Sequence, residues 1–141
     1  MFPIGPNSDL ARQRLTELRH GLLRLHKTLL DSERVTYERA NGRIASRGVF
    51  FQLVISDAWF EWLHRVSELV VQIDEMLDAE EPPTAVEATR VIERARMLLK
   101  PSEEGPEFGK RYWQALQRDP DVVLAHAAVK KLLRKSAFHL N

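Results

Sequence analysis

The residues in this chain that could do chemistry are its five histidines and twenty carboxylates, and their spacing along helices decides which chemistry is open to them. Two E-x-x-H matches, Glu17–His20 and Glu61–His64, place a carboxylate and an imidazole three residues apart, on one face of a helix. Facing each other across a bundle, with a further Glu from each of two other helices, such pairs hold a carboxylate-bridged pair of metal ions. The helical wheel argues against that use. Glu17 and His20 point away from the leucine seam of their helix, and Glu61 and His64 away from the Trp/Leu face of theirs, whereas ligands must project inward. A second constellation is His26 and Glu33 on the first helix, His126 at the edge of the last helix's apolar face, and Asp74 and Ser67 on the flank of a middle helix. Two imidazoles and one or two carboxylates suffice for a metal site or a proton-transfer pair. The same groups could instead satisfy one another as an internal hydrogen-bond network that sets helix register and does no chemistry. His26, Glu33 and His126 are thus the candidate catalytic residues, and with Asp74 the candidate metal ligands. Their convergence on one point is the deciding geometry.

The remaining candidates are surfaces. Lys130, Lys131, Arg134 and Lys135 form the densest basic patch, Arg43 and Arg47 add charge in a loop, and Trp113 could lie exposed nearby. Weak contact with RNA or anionic lipid is one use, but cations in the last turn of a helix also answer its dipole. Trp59, Phe60, Trp62, Phe50 and Phe51 cluster at the start of one helix, ordinarily as one aromatic node at a bundle end; alternatively Phe60, on the far side from Trp59 and Trp62, belongs to an exposed patch buried in a dimer. No Gly-rich phosphate loop, nucleophile elbow or G-x-G-x-x-G is present, which leaves P-loop, Rossmann and hydrolase chemistry without support.

The elements that must position these groups all read as helices. The longest apolar periodic run, Trp59 to Leu77, repeats Trp59, Trp62, Leu63, Val66, Leu69, Val70, Ile73 and Met76 at three- and four-residue steps. Its charged back excludes a membrane span, and Ser56 or Asp57 can cap it. It reads as the spine of the fold. Before it, a helix from about Ser8 to about Ala40 carries the seam Leu15, Leu18, Leu22, Leu25 and Leu29, and Asn41-Gly42 stops it. Arg19, His26, Glu33 and Tyr37 lie within that seam's widened arc, where pairing or snorkelling at the bundle edge is the ordinary fate of such side chains. A helix from about Ser46, with Val49, Phe50, Leu53 and Val54 on one side and Phe51 and Ile55 on others, is either buried all round or laid across the bundle as a lid. Thr84-x-x-Glu87 is a capping box for a helix over about Ala85 to Lys100. Gly105-Pro106 opens a shorter helix to about Arg118, and Asp119-Pro120 starts the last one, to about Lys135.

Composition sets the outer limits. At 141 residues, with 44% hydrophobic and 29% charged content, the chain suits one domain with a real core. A net charge of +1 gives no global field for nucleic acid, which is an unlikely partner. With no cysteine there are no disulfides and no thiolate sites, as in a reducing cytoplasm. Residues 1–8 read as an extended lead-in whose Phe2 and Ile4 dock on the bundle, and residues 136–141 as a tail.

Two resemblances add to this reading. Arg14 and His20, spaced R-x5-H, resemble the R-x4-6-H signature of helical ribonuclease toxins of the HEPN type, though on an outward face and in a different helix context. The stretches DAWFEWLHRVSELVVQIDEML and YWQALQRDPDVVLAH resemble small bacterial all-helical proteins without an established activity. That resemblance implies a helical bundle and transfers no site residues. The expectation is a single all-α domain, an up-and-down bundle of four main helices plus one or two short ones, without a cofactor. It works in the cytoplasm as a non-enzymatic binding protein and homodimer. The alternatives are an enzyme built on His26, Glu33 and His126, and a small-ligand carrier with a cavity beside Glu33.

Overall fold

The computed structural model describes residues 6–134 and is all-helical over them, with no strand. Six α-helices run in order: α1 (Pro6–Asn41), α2 (Arg47–Ser56), α3 (His64–Asp78), α4 (Ala85–Leu98), α5 (Glu107–Arg118) and α6 (Pro120–Arg134). A 3-10 segment, Ala58–Leu63, joins α2 to α3. Several ends are set by local chemistry. Ser46 caps α2 through a bond from the Val49 N–H, and the Thr84/Glu87 capping box closes the start of α4. Gly42 ends α1 at φ 90°, a left-handed conformation that only glycine adopts without cost, and its N–H reaches the Glu38 carbonyl at 2.9 Å.

Four helices make the centre. α1 packs most extensively on α6, then on α3 and α4, and α4 also touches α3 and α6. The seam Leu15, Leu18, Leu22, Leu25 and Leu29 is buried along one side of α1, against Val66, Leu69 and Ile73 of α3 and Val122, Ala125 and Val129 of α6 in one continuous core. At 36 residues α1 is about 54 Å long, enough to run past every other element. The organising helix is therefore α1, and not the run from Trp59 that periodicity favoured.

That run is also not one α-helix, and the difference moves side chains. A 3-10 turn advances 120° per residue against 100° in an α-helix, so by His64 the phase has drifted about 100° from an α wheel begun at Trp59. Residues three apart eclipse in a 3-10 segment, which stacks Phe60 with Leu63 and Trp59 with Trp62. Phe60 is fully buried, 5.6 Å from the Tyr37 ring and 5.7 Å from Phe50. It is core, and the expectation of a surface patch at Phe60 is corrected. His64 is half-buried although it lies opposite the Val66, Leu69 and Ile73 face of α3, because α2 covers it and brings the Val54 carbonyl against its Nε2.

Two further boundaries differ. The helix begins at Pro6, whose ring fixes φ for a first helical residue, so Pro6 to Ser8 belong to α1 and not to an extended lead-in. Docking of Phe2 and Ile4, and the tail at 136–141, lie outside the described residues. α2 has no buried residue, which rules out burial all round, and it packs mainly on the 3-10 segment that follows it rather than across the bundle.

Candidate functional site

The most constructed polar cluster surrounds Glu33, a carboxylate 2% exposed on the inner arc of α1. Three elements meet there. The Asp57 carboxylate accepts the Trp59 N–H at 2.8 Å, and this cap turns the 3-10 segment so that the Trp59 indole faces α1. Trp59 Nε1 donates to Glu33 Oε2 at 2.9 Å. From the last turn of α5, Arg118 Nη2 donates to Glu33 Oε1 at 3.1 Å, and its Nε to Ser32 Oγ at 3.2 Å. One turn beyond, the Tyr37 ring packs on Trp59 at 5.4 Å with its plane at 87°. Both carboxylate oxygens are thus occupied and the charge is met by one guanidinium. Such an arrangement is that of a structural ion pair. It clasps α1, the 3-10 segment and α5 together.

His26 lies two turns, about 10 Å, before Glu33 on α1. Its Nε2 bonds Ser67 Oγ of α3 at 3.0 Å. Burial, and then the neighbouring His64, hold its pKa below the ordinary histidine value, so the ring is neutral near pH 7. His64 Nε2 lies 2.9 Å from the Val54 carbonyl, a contact in which the ring N–H must be the donor, and this ties α2 to the start of α3. His126 bonds the Tyr112 hydroxyl through Nδ1. Burial, with Lys130 second, lowers the His126 pKa, and burial raises that of Tyr112. Both groups are then neutral near pH 7, and either the hydroxyl donates to Nδ1 or an Nδ1–H donates to the hydroxyl oxygen. Asp74 pairs with Arg19 Nε across α1 and α3.

The side chains grouped from sequence are therefore divided among separate pairs: His26 with Ser67, Glu33 with Trp59 and Arg118, His126 with Tyr112, Asp74 with Arg19. Among the described residues no three His, Asp or Glu side chains come close enough to share an ion. The E-x-x-H pairs do not face one another either. His20 and Glu61 are exposed, and Glu17 pairs with Arg14 at 3.3 Å, which also engages the arginine of the R-x5-H spacing. Trp113 is half-buried, while Lys130, Lys131 and Arg134 are exposed on α6. The larger cavities lie away from Glu33.

The feature that composition alone did not locate is the outer side of α2. Phe50, Leu53 and Val54 rest on the core, but Phe51 is 62% exposed, Ile55 51% and Val49 45%. Phe51 and Ile55, one turn apart, form an exposed apolar stripe and candidate interface on this ten-residue helix, and Val49 is exposed at the other edge of the packed face. The signal was present in the sequence as apolar residues on all sides of the helix, and only the packing shows which of them are left over. No helix among the described residues is long and apolar enough to cross a membrane. Comparison with known proteins finds no matching family model, no matching curated protein and no matching solved structure.

Proposed function

We propose that this protein is a non-enzymatic interaction module of the cytoplasm that acts as a homodimer through the outer face of α2. The observation that carries the reading is the exposure of Val49, Phe51 and Ile55 on a helix with no buried residue. Leaving such a surface in water forfeits about 25 cal/mol for each Å² of apolar area that a partner could cover. Charge favours a second copy as that partner. From Gly48 to Ser56 the helix has no ionisable residue, so two copies related by a two-fold axis meet without like-charge repulsion. A ten-residue helix alone covers less than the ~800 Å² per partner of a standard interface, so the dimer is expected to exchange with monomer rather than be obligate. The absence of cysteine fits the proposed compartment.

Sedimentation equilibrium across the micromolar to millimolar range tests this. The wild type should show a reversible monomer–dimer equilibrium, and Phe51→Glu or Ile55→Glu should weaken it by about tenfold or more while circular dichroism is unchanged. A chain that stays monomeric throughout, or dimers indifferent to both substitutions, would overturn the reading.

A further inference from the structure

At the end of the molecule where α4 and α6 finish, a cavity of about 280 Å³ opens between their last turns. Its apolar floor is Leu99, Val129 and Leu133, all buried. Four cations surround that floor: Arg96 and Lys100 from the α4 side, Lys130 and Arg134 from α6. Among the described residues no Asp or Glu lines it. Arg96 is fixed in place by bonds to Glu93 and to the Leu133 carbonyl, while Lys100 and Lys130 have no carboxylate partner among the described residues. His126 also lines the cavity, and with Nδ1 bonded to Tyr112 its Nε2 is the ring nitrogen left for a ligand.

Cations at helix C-termini answer the dipole whether or not a ligand is bound. That accounts for Arg134 in the last turn of α6 and Arg96 in that of α4, whose charge Glu93 also meets. It does not account for Lys130, which lies before the last turn of α6 and shares one apolar hollow with Lys100 from the α4 side. Carboxylates are as common as cations in this chain, at 20 against 21, so a ring of four cations without one acid is a local selection of charge. The volume lies at the small end of the ~300–1,000 Å³ usual for ligand sites, which calls for a short ligand.

We propose that this cavity binds a small amphipathic anion, a monocarboxylate with a short hydrocarbon tail. The carboxylate sits among Lys100, Lys130 and Arg134, beside His126 Nε2. The tail lies on Leu99, Val129 and Leu133. The site is at the opposite kind of surface from α2 and does not depend on the dimer.

The test uses the full chain and four probes read by amide chemical shifts: octanoate, acetate, octanol and octylammonium. Octanoate should bind saturably, perturb residues 96–101 and 126–134, and weaken as salt rises. Acetate has the charge without the tail, octanol the tail without the charge, and octylammonium the wrong sign, so each should bind at least about tenfold more weakly. Lys100→Glu with Lys130→Glu, both at exposed positions, should weaken octanoate by about tenfold or more with the fold unchanged. Equal binding of octanoate and octanol, perturbation confined to α2, or full binding by the double variant would each overturn the proposal.

Discussion

Glu33 is the residue whose environment constrains it most. A carboxylate at 2% exposure is tolerable only while its charge is met, and Arg118 meets it with a side chain that is itself 30% exposed. Removing the acid strands the Trp59 indole N–H and leaves Arg118 free to turn toward solvent, so Glu33→Ala is expected to cost about 2–4 kcal/mol in urea unfolding. Arg118→Ala should cost about 1–3 kcal/mol, because it leaves the buried carboxylate with the Trp59 donor alone. The two changes touch one bond, so the double variant should be more stable than the sum of the singles by about 1 kcal/mol or more. Strictly additive costs would show that the pair is not coupled. Periodicity placed Glu33 on the inner arc of α1, but its partners stand 26 and 85 residues away and are joined to it only by the fold. The wheel could therefore state that the group was unusual and not with whom it paired. It grouped His26, Glu33 and His126 with Asp74 and Ser67, of which His26 and Ser67 do meet, and Trp59, Arg118, Tyr112 and Arg19 are the partners it could not choose.

At the scale of elements the readable signals were caps and periods. Thr84/Glu87, Asn41-Gly42 and Asp119-Pro120 each mark a boundary that the backbone confirms, because a cap is a contact between neighbours in sequence. The change from 3-10 to α winding at Leu63–His64 left no comparable mark, and it turned Phe60 by about 80° relative to the face of α3. Neither did Gly21 on α1, where helix packing sets the requirement. A Cβ built there would stand 2.9 Å from Leu132 Cδ1 and 3.3 Å from Val129 Cγ2, on the closest-packed pair of helices, α1 and α6. Alanine regains about 1 kcal/mol of helix propensity, and the Leu132 methyl is the far end of a movable side chain, so Gly21→Ala should be close to neutral. Gly21→Ile has no such escape, since stiff Val129 blocks the second contact, and should lose about 1–3 kcal/mol. Thermal unfolding of both variants decides the matter. An isoleucine as stable as the wild type would mean that α6 does not hold its distance from α1.

For the whole molecule, the buried histidines tie stability to pH. His26 and His126 both have folded pKa values below the ordinary histidine value, chiefly through burial, with His64 acting on the first and Lys130 on the second. Unfolding releases each ring to water, where it takes a proton near pH 6.5. Between that value and the lower folded one, the unfolded chain binds more protons than the native chain, so native stability rises with pH and is lost as pH falls. The loss should begin below about pH 7 and continue toward pH 5. Gln at either position keeps a neutral hydrogen-bonding side chain and removes the titration. His26→Gln and His126→Gln should therefore be destabilised less than the wild type when taken from about pH 7 to about pH 5. Urea unfolding at one fixed chain concentration is the measurement, because a dimer interface would otherwise add its own concentration-dependent share. Profiles for wild type and both variants that run parallel through this window would show that neither imidazole is held neutral by the fold.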